Sequence, residues 1–74
     1  MGKLPDAEKS YAKAVKLSPD HAEAWNNYAG LLASKGEIAQ AVQAYEKAIN
    51  LQPGYLQAIY NLAVMLLNHG RLEQ

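Results

Sequence analysis

The sequence predicts an all-α fold, an α-solenoid of antiparallel helix pairs with about four helices. Three observations predict it: residues of matching type recur every 34 positions, apolar residues follow helical spacing within each segment, and glycine and proline separate the segments. A fixed period of this length is typical of stacked helix-turn-helix units, each of which buries its apolar face against its neighbours.

The period is visible when the sequence is compared with itself at a shift of 34 residues. Small, aromatic and turn-forming residues all match, so the recurrence extends beyond general hydrophobicity. The matching positions are Gly2, Gly36 and Gly70; Ala7 and Ala41; Tyr11 and Tyr45; Ala14 and Ala48; Leu17 and Leu51; Pro19 and Pro53; Ala24 and Ala58; Asn27 and Asn61; Ala29 and Ala63; and Leu32 and Leu66, while Leu4, Ile38 and Leu72 keep the same apolar character.

Each segment has the apolar spacing of a one-sided helix. The predicted helices cover about residues 5–17, 22–35, 38–51 and 56–69. The residues expected to face the core are Trp25, Tyr28, Ala29 and Leu32 on the second helix, Ile38, Ala41, Val42, Tyr45, Ala48 and Ile49 on the third, and Ile59, Leu62, Ala63 and Leu66 on the fourth.

Proline, glycine and capping residues between the segments predict where the helices begin and end. Pro5 suits a first helical turn, and Asp20 followed by Glu23 forms a capping-box pattern for the second helix. Gly36 and Gly70 suit helix ends that need a positive φ.

Alanines are expected where helices approach most closely. Ala29 and Ala63 occupy this place on the first helices of units, and Ala41 and Ala48 occupy it on a second helix. Dense packing without bulk follows, so a leucine at Ala29 or Ala48 should cost about 1–3 kcal/mol by overpacking.

These residues carry a resemblance to a known family. The run Ala22-Glu23-Ala24-Trp25-Asn26-Asn27-Tyr28-Ala29, followed by Gly36, Ala41, Tyr45, Ala48 and Pro53, resembles the tetratricopeptide repeat pattern. The resemblance implies a right-handed superhelix and one domain over residues 1–74. Within it we expect a second helix of a partial repeat at 2–20, a complete repeat at 21–54, and the first helix of a truncated repeat at 55–74.

The resemblance also implies a binding surface, because first helices line the concave groove in this family. We therefore expect residues 22–35 and 56–69 to meet a protein or peptide partner. The candidate positions are Glu23, Asn26, Asn27, Gly30, Ser34, Gln57, Tyr60, Asn61, Val64, Leu67 and Asn68. Ala33 is a further candidate by the same correspondence.

Asn27 and Asn61 occupy the same place in consecutive units, and a side-chain amide can both donate to and accept from a peptide backbone. The pair resembles the asparagine ladder of superhelical members of the family, including the array of O-GlcNAc transferase. The alternative is that each amide is solvated or bonded to a neighbouring turn.

Tyr60, Val64 and Leu67 add a second apolar stripe to the fourth helix, which is then apolar nearly all round. One interpretation is a groove pocket for an apolar partner side chain. The other is that Met65 and parts of this surface are covered by later repeats or by a second copy of the chain.

Composition excludes several other functions. Seven basic and seven acidic residues give a formal net charge of zero, so nucleic acid is not an expected partner. No lysine takes the groove position that a clamp for chaperone tails requires. His21 and His69 have no ligand partners at useful spacing, cysteine is absent, and no catalytic or cofactor motif occurs, so we expect neither an enzyme nor a cofactor.

The sequence therefore predicts a protein-interaction scaffold that binds an extended peptide or a partner helix. Two alternatives remain: a fragment that self-assembles through its exposed end helices, and a substrate-positioning array of a larger enzyme such as a glycosyltransferase. No apolar run is long enough to cross a bilayer, so no membrane partner is expected, and the cytoplasm is the default compartment.

Overall fold

Four helices in sequence order make up the structure, a computed structural model that describes the backbone of residues 3–73 and the side chains of residues 9–70. They are α1 (Lys3–Leu17), α2 (Ala22–Ser34), α3 (Ile38–Leu51) and α4 (Leu56–Glu73). The described backbone contains no strand, so the predicted all-α class is confirmed. Expectations for Gly2, and for the side chains of Leu4, Ala7 and Leu72, lie outside the described residues.

The turns repeat with the sequence period. His21 N–H donates to the Ser18 carbonyl at 3.1 Å, and 34 residues later Tyr55 N–H donates to the Gln52 carbonyl at 2.9 Å. Because equivalent backbone atoms make equivalent bonds, the two turns have the same hydrogen-bonding pattern and lead into α2 and α4 in the same way.

Gly36 ends α2 as the sequence predicts. Its φ is 82°, its N–H donates to the Ala33 carbonyl at 3.0 Å, and Glu37 N–H donates to the Leu32 carbonyl at 3.0 Å. This pair of bonds is the Schellman arrangement, which needs a left-handed residue after the helix. Glycine meets that need without a Cβ penalty.

Two predictions about the ends of helices are wrong. The cap of α2 is His21, which makes no side-chain capping bond, so Asp20 and Glu23 do not form a capping box. The bond from Trp25 N–H to the His21 carbonyl, at 3.3 Å, places the start of the helix one residue later than that pattern requires. Gly70 does not end a helix either, since α4 continues to Glu73.

Alanines form the centre of the core, as expected for close helix packing. Ala29, Ala41, Ala48 and Ala58 are each 0% exposed, and Tyr45 is buried among them. The core therefore lies mainly between α2 and α3, with α4 packed along its edge.

The expected core face of α4 is largely uncovered, which corrects the prediction. Ile59 is 40% exposed, Leu66 is 46% exposed, and Ala63 is exposed as well, whereas Met65 is buried in the core. The matching face of α2 is buried beneath α3, but within residues 3–73 no helix covers α4 in the same way. Met65 is covered inside this chain and needs no later repeat.

Candidate functional site

A pocket of about 350 Å³ opens between α2 and α4, with part of α3 as its floor. Three consecutive helices contribute to it, so the helix packing itself determines its shape. The described lining residues are Ala33, Ser34, Ile38, Tyr45, Tyr60, Asn61, Val64, Met65, Asn68 and His69.

The pocket walls are mostly apolar and carry no acidic side chain, lysine or arginine among the described lining residues. Ala33 and Val64 are half-buried on facing helices, and the buried Met65 also lines the pocket. A charged group placed here would lose hydration without gaining an ion pair, so the pocket favours an uncharged group.

Asn61 gives the pocket a polar wall. Its Nδ2 donates to Oδ1 of Asn26 at 3.4 Å, a long bond that links α4 to α2. A side-chain amide has two N–H donors and an acceptor oxygen, so Asn61 keeps capacity for a second partner. Asn26 itself is only 6% exposed, which leaves Asn61 as the accessible member of this pair.

Two further polar groups differ in availability. The Ser34 hydroxyl donates to the Leu31 carbonyl at 2.7 Å and is therefore already engaged as a donor. Burial raises the pKa of the Tyr45 hydroxyl above its ordinary value, because the interior disfavours the phenolate. Tyr45 thus remains a neutral hydrogen-bonding group at the pocket floor.

Six of the sequence-predicted residues come together here: Ala33, Ser34, Tyr60, Asn61, Val64 and Asn68. The six that do not line the pocket are Glu23, Asn26, Asn27, Gly30, Gln57 and Leu67. Asn27 is exposed on α2 while Asn61 is half-buried on α4, so the two equivalent asparagines have different environments.

Four lining residues were missed by the sequence prediction of the site: Ile38, Tyr45, Met65 and His69. Ile38 and Tyr45 are core-type residues of α3, and the expectation that only first helices line the groove excluded them. In the structure both residues lie at the gap between α2 and α4 although Tyr45 is buried, and neither has a distinguishing sequence signal.

A second hollow, of about 540 Å³, lies along α2 and α3. Trp25 and Tyr28 line it with their rings edge to face, 6.3 Å between centroids, and Lys47 borders it. None of the predicted groove residues lines this hollow.

The described residues contain no group of three or more histidine, cysteine, aspartate or glutamate side chains placed to hold a metal ion. No helix within the described part of the chain combines the length and apolarity needed to cross a membrane.

Comparison with known families gives two matches. A family profile described as tetratricopeptide repeat matches residues 1–55, and a second profile with the same description matches residues 44–74. Together they extend over all four helices. No curated protein matches the chain closely enough to be compared with it.

Proposed function

Because this chain belongs to the tetratricopeptide repeat family, whose repeats generally mediate protein–protein interaction, we propose that it binds an extended peptide of a partner protein across α2 and α4. The observation that carries the proposal is the pocket between these helices, which combines apolar walls with an accessible amide.

The pocket dimensions favour a single anchoring side chain. About 350 Å³ lies at the lower end of the range for ligand pockets in proteins and accommodates one large residue together with the backbone that flanks it. Since the described lining residues include no formally charged side chain other than a histidine when protonated, the anchor should be apolar or aromatic.

The polar groups suit the backbone beside such an anchor. Asn61 and Asn68 are seven residues apart on α4, so they lie about two turns apart on the same side of the helix. An extended peptide that runs along α4 presents carbonyl and N–H groups to both amides. Tyr60, 68% exposed beside them, offers a ring face to the peptide's other side chains.

A peptide display selection against the chain, followed by fluorescence anisotropy with the best peptide, tests the proposal. Asn61→Ala removes a backbone-binding amide and should weaken binding by roughly 5-fold, from a hydrogen bond worth about 1 kcal/mol. Asn50→Ala is the matched control, because Asn50 is exposed on α3 and does not line the pocket.

A second variant tests the pocket itself. Ala33→Leu adds three carbon atoms to the pocket wall and should weaken an apolar anchor by about 10-fold or more, while Ala39→Leu on the exposed side of α3 leaves binding unchanged. Circular dichroism confirms that the variants are folded. If the selected peptides bind Asn61→Ala and Ala33→Leu as tightly as the parent, the pocket is not their site.

A further inference from the structure

We infer that copies of this chain associate head to tail, with the uncovered face of α4 from one copy receiving the face of α1 from the next. This inference goes beyond the proposed function, because association of this kind requires no peptide. The observation behind it is that α4 repeats the face by which α2 packs on α3, and that α1 repeats the face by which α3 packs on α2.

The first half is the face of α4. Ile59, Ala63 and Leu66 stand 34 positions after Trp25, Ala29 and Leu32, the face that α2 packs beneath α3. On α2 the alanine is fully buried, whereas on α4 all three side chains are exposed. The face therefore has the residues of a helix-packing surface, but within residues 3–73 no helix covers it as α3 covers α2.

The second half is the face of α1. Ser10, Tyr11 and Ala14 stand 34 positions before Ala44, Tyr45 and Ala48, which are 3%, 3% and 0% exposed where α3 packs on α2. Ser10 and Tyr11 are exposed on α1, and Ala14 is half-buried. The described residues thus carry both surfaces of the α2–α3 packing pair a second time, one on α4 and one on α1, and these two surfaces do not pack on each other.

A second copy is the occupant that these observations favour. Residues 56–68 of α4 contain no charged side chain, so the lysines at positions 9 and 13 of an incoming α1 meet no like charge there. Lys47, the equivalent of Lys13, already borders a hollow beside Trp25 and Tyr28, where its aliphatic stem can cover apolar surface while its ammonium group stays hydrated.

The contact joins two different surfaces, so it is heterologous and leaves a free face at each end of a pair. It would also continue the 34-residue period from α4 into α2 of the next copy. Asn27 of the incoming copy would then lie beside Tyr60 of the first copy, in the arrangement that Asn61 and Asn26 have within one chain. Gly30 of the incoming copy and Leu67 of the first would face each other across a second groove pocket. Use of that second pocket for peptides rests on the proposed function.

Sedimentation analysis of the parent chain over a wide concentration range tests the association. The weight-average mass should rise above the 8.1 kDa of a monomer as concentration increases. Ala63→Glu and Ser10→Glu each place a charge in one half of the interface and should each remain monomeric. Ala39→Glu, at an exposed alanine of α3, should associate like the parent.

Mixing the two blocked variants distinguishes head-to-tail from symmetric pairing. Ala63→Glu keeps a usable α1 face and Ser10→Glu keeps a usable α4 face, so an equimolar mixture should form dimers of twice the monomer mass and nothing larger. In that mixture the side-chain amide signals of Asn27 in ¹⁵N-labelled Ala63→Glu should shift. A parent that stays monomeric at all concentrations, or a mixture that forms no dimer, overturns the inference.

The same variants separate this result from the proposed function. Ala63 does not line the groove pocket, so monomeric Ala63→Glu should bind the selected peptide as the parent does. A variant that no longer associates but still binds the peptide has lost only the interface between copies. A variant that still associates but no longer binds the peptide has lost only the groove pocket.

Discussion

The substitution Ala29→Leu, compared with Ala63→Leu, measures how strongly the α2–α3 packing stabilises the fold. The two alanines occupy the same position of the 34-residue period, so the change in side-chain chemistry is identical. They differ in surroundings, because Ala29 is 0% exposed within the core while Ala63 is exposed on α4. The difference between the variants therefore isolates the effect of the covering helix.

The expected magnitude follows from packing. A leucine adds three carbon atoms at Ala29, where the surrounding core residues Ala41, Tyr45 and Ala48 are buried and leave no space for them. Such overpacking costs about 1–3 kcal/mol. Since the core of a chain of this size rarely supplies more than about 3–5 kcal/mol, the loss is a large share of the total. Leucine at exposed Ala63 should change stability by less than about 0.5 kcal/mol.

Urea unfolding followed by circular dichroism provides the free energies, at a protein concentration low enough to keep the chain monomeric. Thermal unfolding gives a second measure, with a fall of about 4–8 °C in Tm for each kcal/mol lost. Equal stability of the parent and Ala29→Leu would refute the packing argument. So would an equal loss in Ala63→Leu, because exposure would then have no bearing on the cost.

Two further predictions concern the turn after α2 and the buried tyrosine. Gly36→Ala should destabilise the chain by about 1–2 kcal/mol, because φ is 82° and no atom lies within 4 Å of the added Cβ, so the cost is backbone strain alone; Gly54→Ala, which lacks the positive φ, should cost less than about 0.5 kcal/mol in the same urea titration. Tyr45 has a raised pKa in the folded state, so its stabilisation is complete below the pKa of the unfolded chain and is lost as pH rises through the folded pKa. The free energy of unfolding of Tyr45→Phe should therefore fall less than that of the parent between roughly pH 8 and pH 11, a window that spans the ordinary tyrosine pKa near 10. If the variant lost as much stability as the parent over this window, the loss would not come from ionisation of Tyr45.

The helices and turns were predictable because their signals are local. Apolar spacing defines each helix within a few residues of its observed bounds, and the turn at Gly36 needs a residue that tolerates positive φ. The turns at 18–21 and 52–55 form the same backbone bonds, and each has a proline, which fixes φ, at its second position. Local sequence is sufficient for such features.

Burial on α4 was not predictable in the same way. Ala63 has the identity and register of Ala29, and only the presence of a covering helix makes one exposed and the other buried. Asn61 and Asn27 differ for a related reason: Asn61 bonds to Asn26 of α2, whereas within residues 3–73 no helix lies against α2 as α2 lies against α4 to bond Asn27. A repeat pattern specifies the type of surface, whereas neighbouring helices decide whether it is covered.

The same distinction determines which residues can separate binding from stability. Tyr45 lines the groove pocket and is also part of the core, and its hydroxyl lies 3.7 Å from the point where a Cβ on Gly30 would stand. Changes at either residue would alter pocket shape and core packing together. Asn61 and Val64 are half-buried and reach the pocket from α4, which packs on the core through other residues, Ala58 and Met65. A substitution at Val64 should therefore change peptide affinity with little effect on the free energy of unfolding, whereas Asn61→Ala also removes the bond to the buried Asn26 side chain and should cost about 1 kcal/mol of stability.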